Sequence, residues 1–161
     1  MSQALTLPKI GEQFQDGTYG GLSVTKAGEI YIPILSPLRA PKGTHKQQLA
    51  WAEKNGLSLL NKAEAALFFQ NIPDQFEKDW HWLEEPFGSD GAYYQGFASG
   101  YQYWDYRSNK FLGRGVRRLT LGSFDPLGSA QQRAASDVAA LLKSAQALVD
   151  ACTAASVLEA V

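Results

Sequence analysis

The feature that most constrains the fold is an aromatic segment in the second half of the chain. Seven of the fourteen residues from Tyr93 to Tyr106 are aromatic, against 12% of the chain as a whole. Ser99-Gly100 and Ser108-Asn109 interrupt the pattern with residues that favour turns. Aromatic and β-branched runs punctuated in this way are typical of successive β-strands. Since side chains alternate between the two faces of a strand, one face cannot bury all seven rings.

The pattern around this segment predicts a meander of four strands. We expect these strands at residues 80–83, 93–98, 102–106 and 112–121. Near the N-terminus, residues 18–24 and 29–35 are predicted to form a hairpin around a turn at residues 26–28. Pro33 has no amide donor, so its strand is expected at a sheet edge or broken at that residue, and Pro37 and Pro41 indicate a loop.

Two capped helices are predicted between the hairpin and the meander. Thr44 is a suitable N-cap for a helix that runs to about residue 55, with Gly56 as the terminating residue. Asn61 followed by Glu64 fits a capping box, and this second helix should end near Pro73. The predicted fold class is therefore α+β, with an antiparallel sheet and two helices.

A long C-terminal helix is predicted beyond the sheet. Residues 122–128 contain Pro126 and are expected to form a connector, and Ser129 with Gln132 forms a second capping-box pattern ahead of an Ala-rich stretch over residues 129–161. Residues 17–121 form the predicted domain and residues 1–16 an N-terminal extension. The helix carries an apolar stripe that could pack on its own domain or on the same helix of another subunit. The proposed oligomerisation residues of this stripe are Val138, Leu141, Leu142, Ala145, Leu148 and Val149.

Composition and charge limit the expected cellular location and the classes of binding partner. The net charge of -1 favours neither nucleic acid nor an anionic membrane. Residues 1–10 lack a secretory signal pattern, and no run approaches the roughly 18 apolar residues of a membrane span, so a cytoplasmic location is expected. Cys152 is the single cysteine, so an internal disulfide is excluded. We expect Cys152 to be a small core residue.

The residues give little support for catalysis. His45 and His81 are the two histidines, and no nucleophile elbow or phosphate loop is present. His45 is expected on the surface of its helix. Asp79, His81 and the pair Glu84 and Glu85 could suggest a divalent metal site, but a solvated strand edge explains them more simply. No catalytic residue, metal ligand or cofactor is therefore assigned.

Two blocks of opposite charge offer another possible site. Residues 74–90 contain six acidic residues, and residues 107–118 contain five basic residues and no acidic one. The blocks could pair across neighbouring strands or form a ligand clamp. Arg107 and Arg114 are candidate binding residues, although alternation places Arg114 on one face with Val116 and Arg118, where a buried arginine is the alternative.

The strand region resembles a known family. The residues that carry the likeness are Trp82, the run Ser89-Asp90-Gly91-Ala92-Tyr93-Tyr94-Gln95-Gly96-Phe97-Ala98-Ser99-Gly100, the run Tyr106-Arg107-Ser108-Asn109-Lys110, and Val116-Arg117-Arg118-Leu119. They resemble a bacterial and phage domain family of unknown function, represented by the C-terminal domain of the collagen-like adhesin Lcl and grouped with C-type-lectin-like folds. The resemblance covers roughly residues 17–121. It implies a C-type-lectin-like domain of phage or prophage origin, located in the bacterial host cell or in a phage particle.

The resemblance implies binding more than chemistry. Formylglycine-generating relatives use paired cysteines with copper, which Cys152 alone cannot reproduce. Calcium-dependent lectins use a Glu-Pro-Asn loop, whereas this chain has Glu85-Pro86-Phe87. The superfamily carries several functions on one scaffold. Its members include phage receptor-binding proteins, and an inhibitor of a host system would be one form of the binding function.

The leading hypothesis is a binding module for a protein or glycan. The candidate binding residues are Tyr93, Tyr94, Tyr101, Tyr103, Trp104, Tyr106, Arg107 and Arg114. For the outward position, Tyr93, Tyr101 and Tyr103 compete with Tyr94, Trp104 and Tyr106; alternatively, the rings form core and cross-strand pairs. An assembly subunit that uses the C-terminal helix and a divergent enzyme are the other hypotheses. Neither a nucleic-acid partner nor a membrane is expected.

Overall fold

The computed structural model describes residues 6–121 and 126–158, with side chains of the last helix described over residues 134–153. The chain divides into two compact units, Met1–Ser123 and Phe124–Val161. The first unit contains a sheet and two α-helices, and the second contains one long helix. The α+β fold class predicted from the sequence is confirmed.

The sheet has nine strands within the described residues. They are β1 (Gln13–Phe14), β2 (Gly17–Tyr19), β3 (Ser23–Val24), β4 (Ile30–Gly43), β5 (Ser58–Leu59), β6 (Trp80–Phe87), β7 (Gly91–Gly96), β8 (Gln102–Tyr106) and β9 (Phe111–Thr120). Their order is β1-β2-β4-β9-β6-β7-β8, with β3 paired to β4 and β5 paired to β9. The sheet is mixed rather than antiparallel, because β6 and β9 run parallel and pair at His81 and Leu112.

The predicted meander holds for three strands only. Strands β6, β7 and β8 are consecutive antiparallel neighbours. Strand β9 does not pair with β8; it lies between β4 and β6. The segment around Ser108-Asn109 therefore leads away from β8 instead of closing a hairpin. The turn signals predicted a hairpin, whereas β9 runs in the same direction as β8 and pairs with β4 and β6, because strand order depends on contacts distant in sequence.

The position predicted for Pro33 is wrong, because its strand is central. Strand β4 lies between β2 and β9, and Pro33 is opposite Arg118 of β9. On the other side, β3 pairs with Ile30 and Tyr31, and β2 pairs with Ile34 and Leu35. Pro33 thus falls in the gap between these two short ladders, where a missing amide donor breaks no pairing.

The loop predicted at Pro37 and Pro41 is also wrong. Both prolines lie inside β4, which continues to Gly43. The pairing of β4 with β9 shifts register between Leu35 and Arg39 and again between Ala40 and Gly43. Such bulges accommodate residues that cannot donate to a ladder.

The two predicted helix starts are confirmed. Helix α1 (His45–Lys54) has Thr44 as N-cap, and helix α2 (Lys62–Asn71) has Asn61, each with a complete capping box. A short 3-10 helix, Pro73–Gln75, follows α2. The caps form because the third helical residue, Gln47 or Glu64, reaches back to the N-cap amide.

The helices cover different parts of the sheet. Helix α2 contributes Ala65 and Phe68 to a core that includes Leu83 of β6. Helix α1 contributes Ala52 to a second core that includes Trp82. Since Trp82 and Leu83 are consecutive in one strand, the helices lie on opposite faces of β6. Both faces of β6 are therefore buried at these two residues.

The second unit is the predicted long helix. Helix α3 spans Pro126–Leu158. It begins three residues before the predicted start at Ser129, so residues 126–128 belong to the helix; residues 1–5, 122–125 and 159–161 lie outside the described residues. Proline suits a first helical turn because amides there have no intrahelical acceptor. Among the described helices, none has the length and apolar character needed to cross a membrane.

Candidate binding surface

The pairing of β7 with β8 determines which rings share a face. Tyr94 is opposite Tyr103, and Tyr93 is opposite Trp104. Opposed residues of an antiparallel pair point to the same face. The predicted grouping of Tyr93 with Tyr101 and Tyr103 is therefore wrong. Alternation within each strand was correct, but only the register between the strands fixes the pairing.

The first exposed group of rings, the Tyr103 patch, consists of Trp80, Tyr94, Tyr101 and Tyr103. Trp80, Tyr101 and Tyr103 are 49%, 60% and 49% exposed. The rings of Tyr101 and Tyr103 stack with centroids 5.9 Å apart, and Trp80 lies 5.3 Å from Tyr94. Partial burial raises the pKa of Tyr94 above its usual value. Buried Phe111 supports the patch from below, 5.1 Å from Trp80.

The second group, the Trp104 patch, lies on the other face and consists of Phe87, Tyr93, Trp104 and Tyr106. Phe87 stacks on Trp104 at 4.6 Å and packs edge-on against Tyr93 at 5.5 Å. Tyr106 is 59% exposed. The Lys62 ammonium lies 3.9 Å above the Tyr93 ring in a cation–π contact. The two patches place exposed rings on both faces of one hairpin.

Helix α2 covers part of the face that carries the Trp104 patch. Gln95 donates a hydrogen bond to the Ala65 carbonyl at 2.8 Å, and Gln102 donates to the Lys62 carbonyl at 2.7 Å. These glutamines attach β7 and β8 to helix α2. Beyond these glutamines on the same face, Lys62 of the helix contacts Tyr93, and Tyr106 is exposed.

The two candidate arginines donate to backbone carbonyls. The Arg107 Nε donates to the Gly91 carbonyl at 2.7 Å and secures the end of the β7–β8 hairpin. Arg114 is 2% exposed, donates to the carbonyls of Ser36 and Gln75, and lies over the Phe76 ring. Burial lowers the pKa of Arg114 to about 10. Arg114 is therefore not on the binding surface and occupies the buried position that was the alternative prediction.

The two charge blocks make one ion pair with each other within the described residues. Arg118 contacts Glu84 at 3.1 Å and Glu64, which is fully buried, at 2.6 Å. Arg117 instead pairs with Asp16 near the N-terminus. The basic block therefore supports the fold through Arg118 and does not form a clamp facing the acidic block.

A cleft of about 580 Å³ lies beside this ion pair. Its lining includes Thr25, Tyr31, Lys62, Glu84, Tyr93 and Arg118. The Tyr31 hydroxyl donates to Glu64 at 2.9 Å beneath the cleft. Sequence reasoning identified Glu64 only as a helix cap, and no local signal indicated its contacts with Tyr31 and Arg118. Tyr93 connects the cleft to the Trp104 patch.

The histidines occupy interior positions. The prediction of a surface position for His45 is wrong: it is 3% exposed, its Nε2 lies 2.7 Å from the Leu83 carbonyl, and its ring packs 5.4 Å from Trp82. His81 is fully buried against Phe76 and Phe97. Burial lowers the pKa of both histidines.

The acidic side chains predicted beside His81 bind elsewhere, and its carboxylate partner is Glu77, 3.4 Å from the His81 Nε2. Asp79 forms an ion pair with Lys42 at 2.6 Å, and Glu84 pairs with Arg118. Glu85 instead accepts the backbone amide of Lys62 at 2.9 Å. Within the described residues, no group of three potential ligands is positioned to hold a metal ion.

The predicted oligomerisation stripe is exposed on α3. Val138, Leu141, Leu142, Leu148 and Val149 are 55%, 70%, 67%, 69% and 57% exposed, and Ala145 is exposed too. Cys152 is also exposed, so its predicted core position is wrong.

No family model matches the chain, and no curated protein does.

Proposed function

We propose that the protein is a non-catalytic binding module. It presents aromatic rings around the β7–β8 hairpin, at the edge of the sheet, to a protein or glycan partner. The observation that carries this proposal is the exposure of Trp80, Tyr101 and Tyr103, between 49% and 60%, on one face at the end of the sheet. Isolated exposed apolar residues are ordinary, but a contiguous group is typical of an interaction site.

The chemistry of the rings suits recognition. Tyrosine and tryptophan provide large contact area with few rotatable bonds, and their polar atoms remain able to form hydrogen bonds. In the Tyr103 patch, the stacked pair Tyr101 and Tyr103 is supported by Trp80 and Tyr94, so little side-chain freedom is left to lose on binding. The same rings could stack on the apolar face of a sugar.

The resemblance to the C-type-lectin-like family supports this function. Two helices and a mixed sheet with an aromatic hairpin at its edge are compatible with that fold. From the resemblance we propose a phage or prophage origin, with action in the host cytoplasm or in the phage particle. Inhibition of a host system would be one form of the binding function.

The non-catalytic part of the proposal rests on the positions of the reactive residues. His45 and His81 are buried with backbone or carboxylate partners, and Cys152 lies on α3. None of the three lines the cleft beside Arg118. A divergent enzyme of the formylglycine-generating superfamily is therefore the weakest of the hypotheses.

A comparison of the two patches tests the proposal. The wild type, Tyr101→Ser with Tyr103→Ser, and Phe87→Ser with Tyr106→Ser would be used for affinity capture from a bacterial lysate and on a glycan array. We expect one double variant to lose the partner while the other retains it, since the patches lie on opposite faces. Retention of every partner by both variants, with unchanged thermal stability, would contradict the proposal.

A second candidate function is an assembly subunit that associates through α3. The observation that favours it is the row of apolar side chains on α3, each more than half exposed. Burying such a row against a second helix would remove it from water. Light scattering on variants of this row, described below, separates it from the aromatic proposal.

A further inference from the structure

Strand β8 ends the sheet and leaves part of its backbone without a partner. The amide of Arg107 donates to the Asp90 carbonyl, and the carbonyl of Tyr101 accepts from Gly96, so odd-numbered residues face β7. In an antiparallel pair these positions alternate with residues whose amide and carbonyl point the opposite way. Gln102, Trp104 and Tyr106 therefore face the open edge.

The open edge is limited to four backbone groups. The Tyr106 amide donates to its neighbour Asp105 at 2.7 Å, and the Tyr106 carbonyl accepts from the Asn109 amide at 3.0 Å. Among the described residues, none forms a hydrogen bond with the outward amides and carbonyls of Gln102 and Trp104. These two residues form a short unfilled ladder.

The open edge is short, but it lacks most of the other features that usually prevent edge pairing. The strand contains neither proline nor lysine, and Asp105 is its one charged residue. Natural proteins protect open edges with such residues, with bulges or with a covering segment. The pairing of β7 with β8 runs from Gly91 to Gln95 without a register shift, so no bulge turns the edge away.

We propose that β8 pairs antiparallel with β8 of a second copy of the chain, about a two-fold axis at Tyr103. In this register Gln102 of each copy is opposite Trp104 of the other. Both pairs are of the hydrogen-bonded type, so all four free groups of each strand are satisfied. Two-fold symmetry requires only one self-complementary surface.

Neighbouring registers fit less well. With the axis at Trp104, Gln102 would face Tyr106, whose amide and carbonyl are already bonded. With the axis at Gln102, Trp104 would face Gly100, whose amide already donates to Gly96 at 2.8 Å. Only the register centred on Tyr103 uses the free groups and no others.

The side chains are compatible with the same register. Tyr103 is opposite its own copy, and aromatic cross-strand pairs are favourable. Asp105 is opposite Tyr101, so the two carboxylates do not face each other. The paired strands would join the two sheets, and the Tyr103 patch would continue across the axis.

Self-association through five residues should be weak and should depend on concentration, because the contact is far smaller than a standard interface. The test uses the full chain. Hydrogen exchange of the Gln102 and Trp104 amides, measured by NMR, should slow as protein concentration rises. These amides face solvent in a single copy, and association through α3 would leave them exposed.

A matched pair of variants tests the backbone contribution. Trp104→Pro and Trp104→Ala both remove the ring, but only proline removes the outward amide, and neither alters a hydrogen bond with β7. Sedimentation equilibrium should show at least about tenfold weaker dimerisation for Trp104→Pro, since two interstrand hydrogen bonds are lost. Equal dimerisation of both variants would refute the proposal. So would exchange at Gln102 and Trp104 that is independent of wild-type concentration, a result that needs no variant to fold.

Discussion

Replacement of Arg118 by methionine should strongly destabilise the first unit. The guanidinium contacts Glu64 with two nitrogens, and it also contacts Glu84 and the Leu59 carbonyl. Glu64 is fully buried, whereas the Arg118 side chain is 29% exposed. Burial raises the pKa of Glu84, and the neighbouring carboxylates raise the pKa of Arg118. Methionine preserves most of the apolar stem but leaves the buried Glu64 carboxylate without its counter-ion.

The expected loss in the free energy of unfolding depends on the hydrogen bonds that Glu64 keeps in the variant. Removal of one partner from a buried ion pair costs about 3–5 kcal/mol. Glu64 would keep hydrogen bonds from the Tyr31 hydroxyl and the Asn61 amide, each at 2.9 Å. We therefore expect the lower end, about 3 kcal/mol, which corresponds to a decrease in Tm of about 6–12 °C for a chain of this length.

Urea unfolding of the wild type and three variants measures this effect. Arg118→Met combined with Glu64→Gln should recover about 1–2 kcal/mol, because no buried charge is left unpaired. Glu84→Gln is the control, since its side chain is 33% exposed and should cost less than about 1 kcal/mol. A loss below about 1 kcal/mol for Arg118→Met, with no recovery in the double variant, would refute the reasoning.

Three further outcomes are expected. Gly20→Ala should cost about 1–3 kcal/mol in urea unfolding, because its Cβ would lie 2.5 Å from the buried Phe68 ring; an unchanged midpoint would contradict this. The free energy of unfolding should fall as pH decreases from about 7.5 to about 6, because burial lowers the pKa of His45 below 6.5 and the unfolded chain therefore takes up the proton first. In a plot of unfolding midpoint against pH, His45→Gln should reduce this slope. Leu141→Glu with Leu148→Glu should abolish association through α3 in light scattering, and an oligomer of undiminished mass would exclude that helix as the contact.

Some local features were predictable because they depend on near neighbours. Thr44 and Asn61 cap their helices with residues three positions away, so a short window contains the whole interaction. Strand β8 was predicted with its observed bounds for the same reason: aromatic alternation lies between two turn signals. The apolar stripe of α3 likewise follows from helical spacing.

Other features were decided at long range. His45 had the local pattern of a surface residue, yet its partners Leu83 and Trp82 lie more than 35 positions away. Pro33 predicted a sheet edge, but its strand is central because the short strands β2 and β3 leave a gap beside this residue. Arg114 is buried because two distant carbonyls, of Ser36 and Gln75, can accept its hydrogen bonds.

The aromatic segment shows the division between sequence and tertiary structure most clearly. The sequence by itself determined that rings would occupy both faces of β7 and β8, because a strand alternates its side chains with a period of two. Only the tertiary structure decided that Tyr94 joins Tyr103 and that Tyr93 joins Trp104, because register depends on the pairing of separate strands. It also decided which rings stay exposed on the face of Tyr93 and Trp104, since helix α2 contacts Gln95, Gln102 and Tyr93 there but leaves Tyr106 exposed.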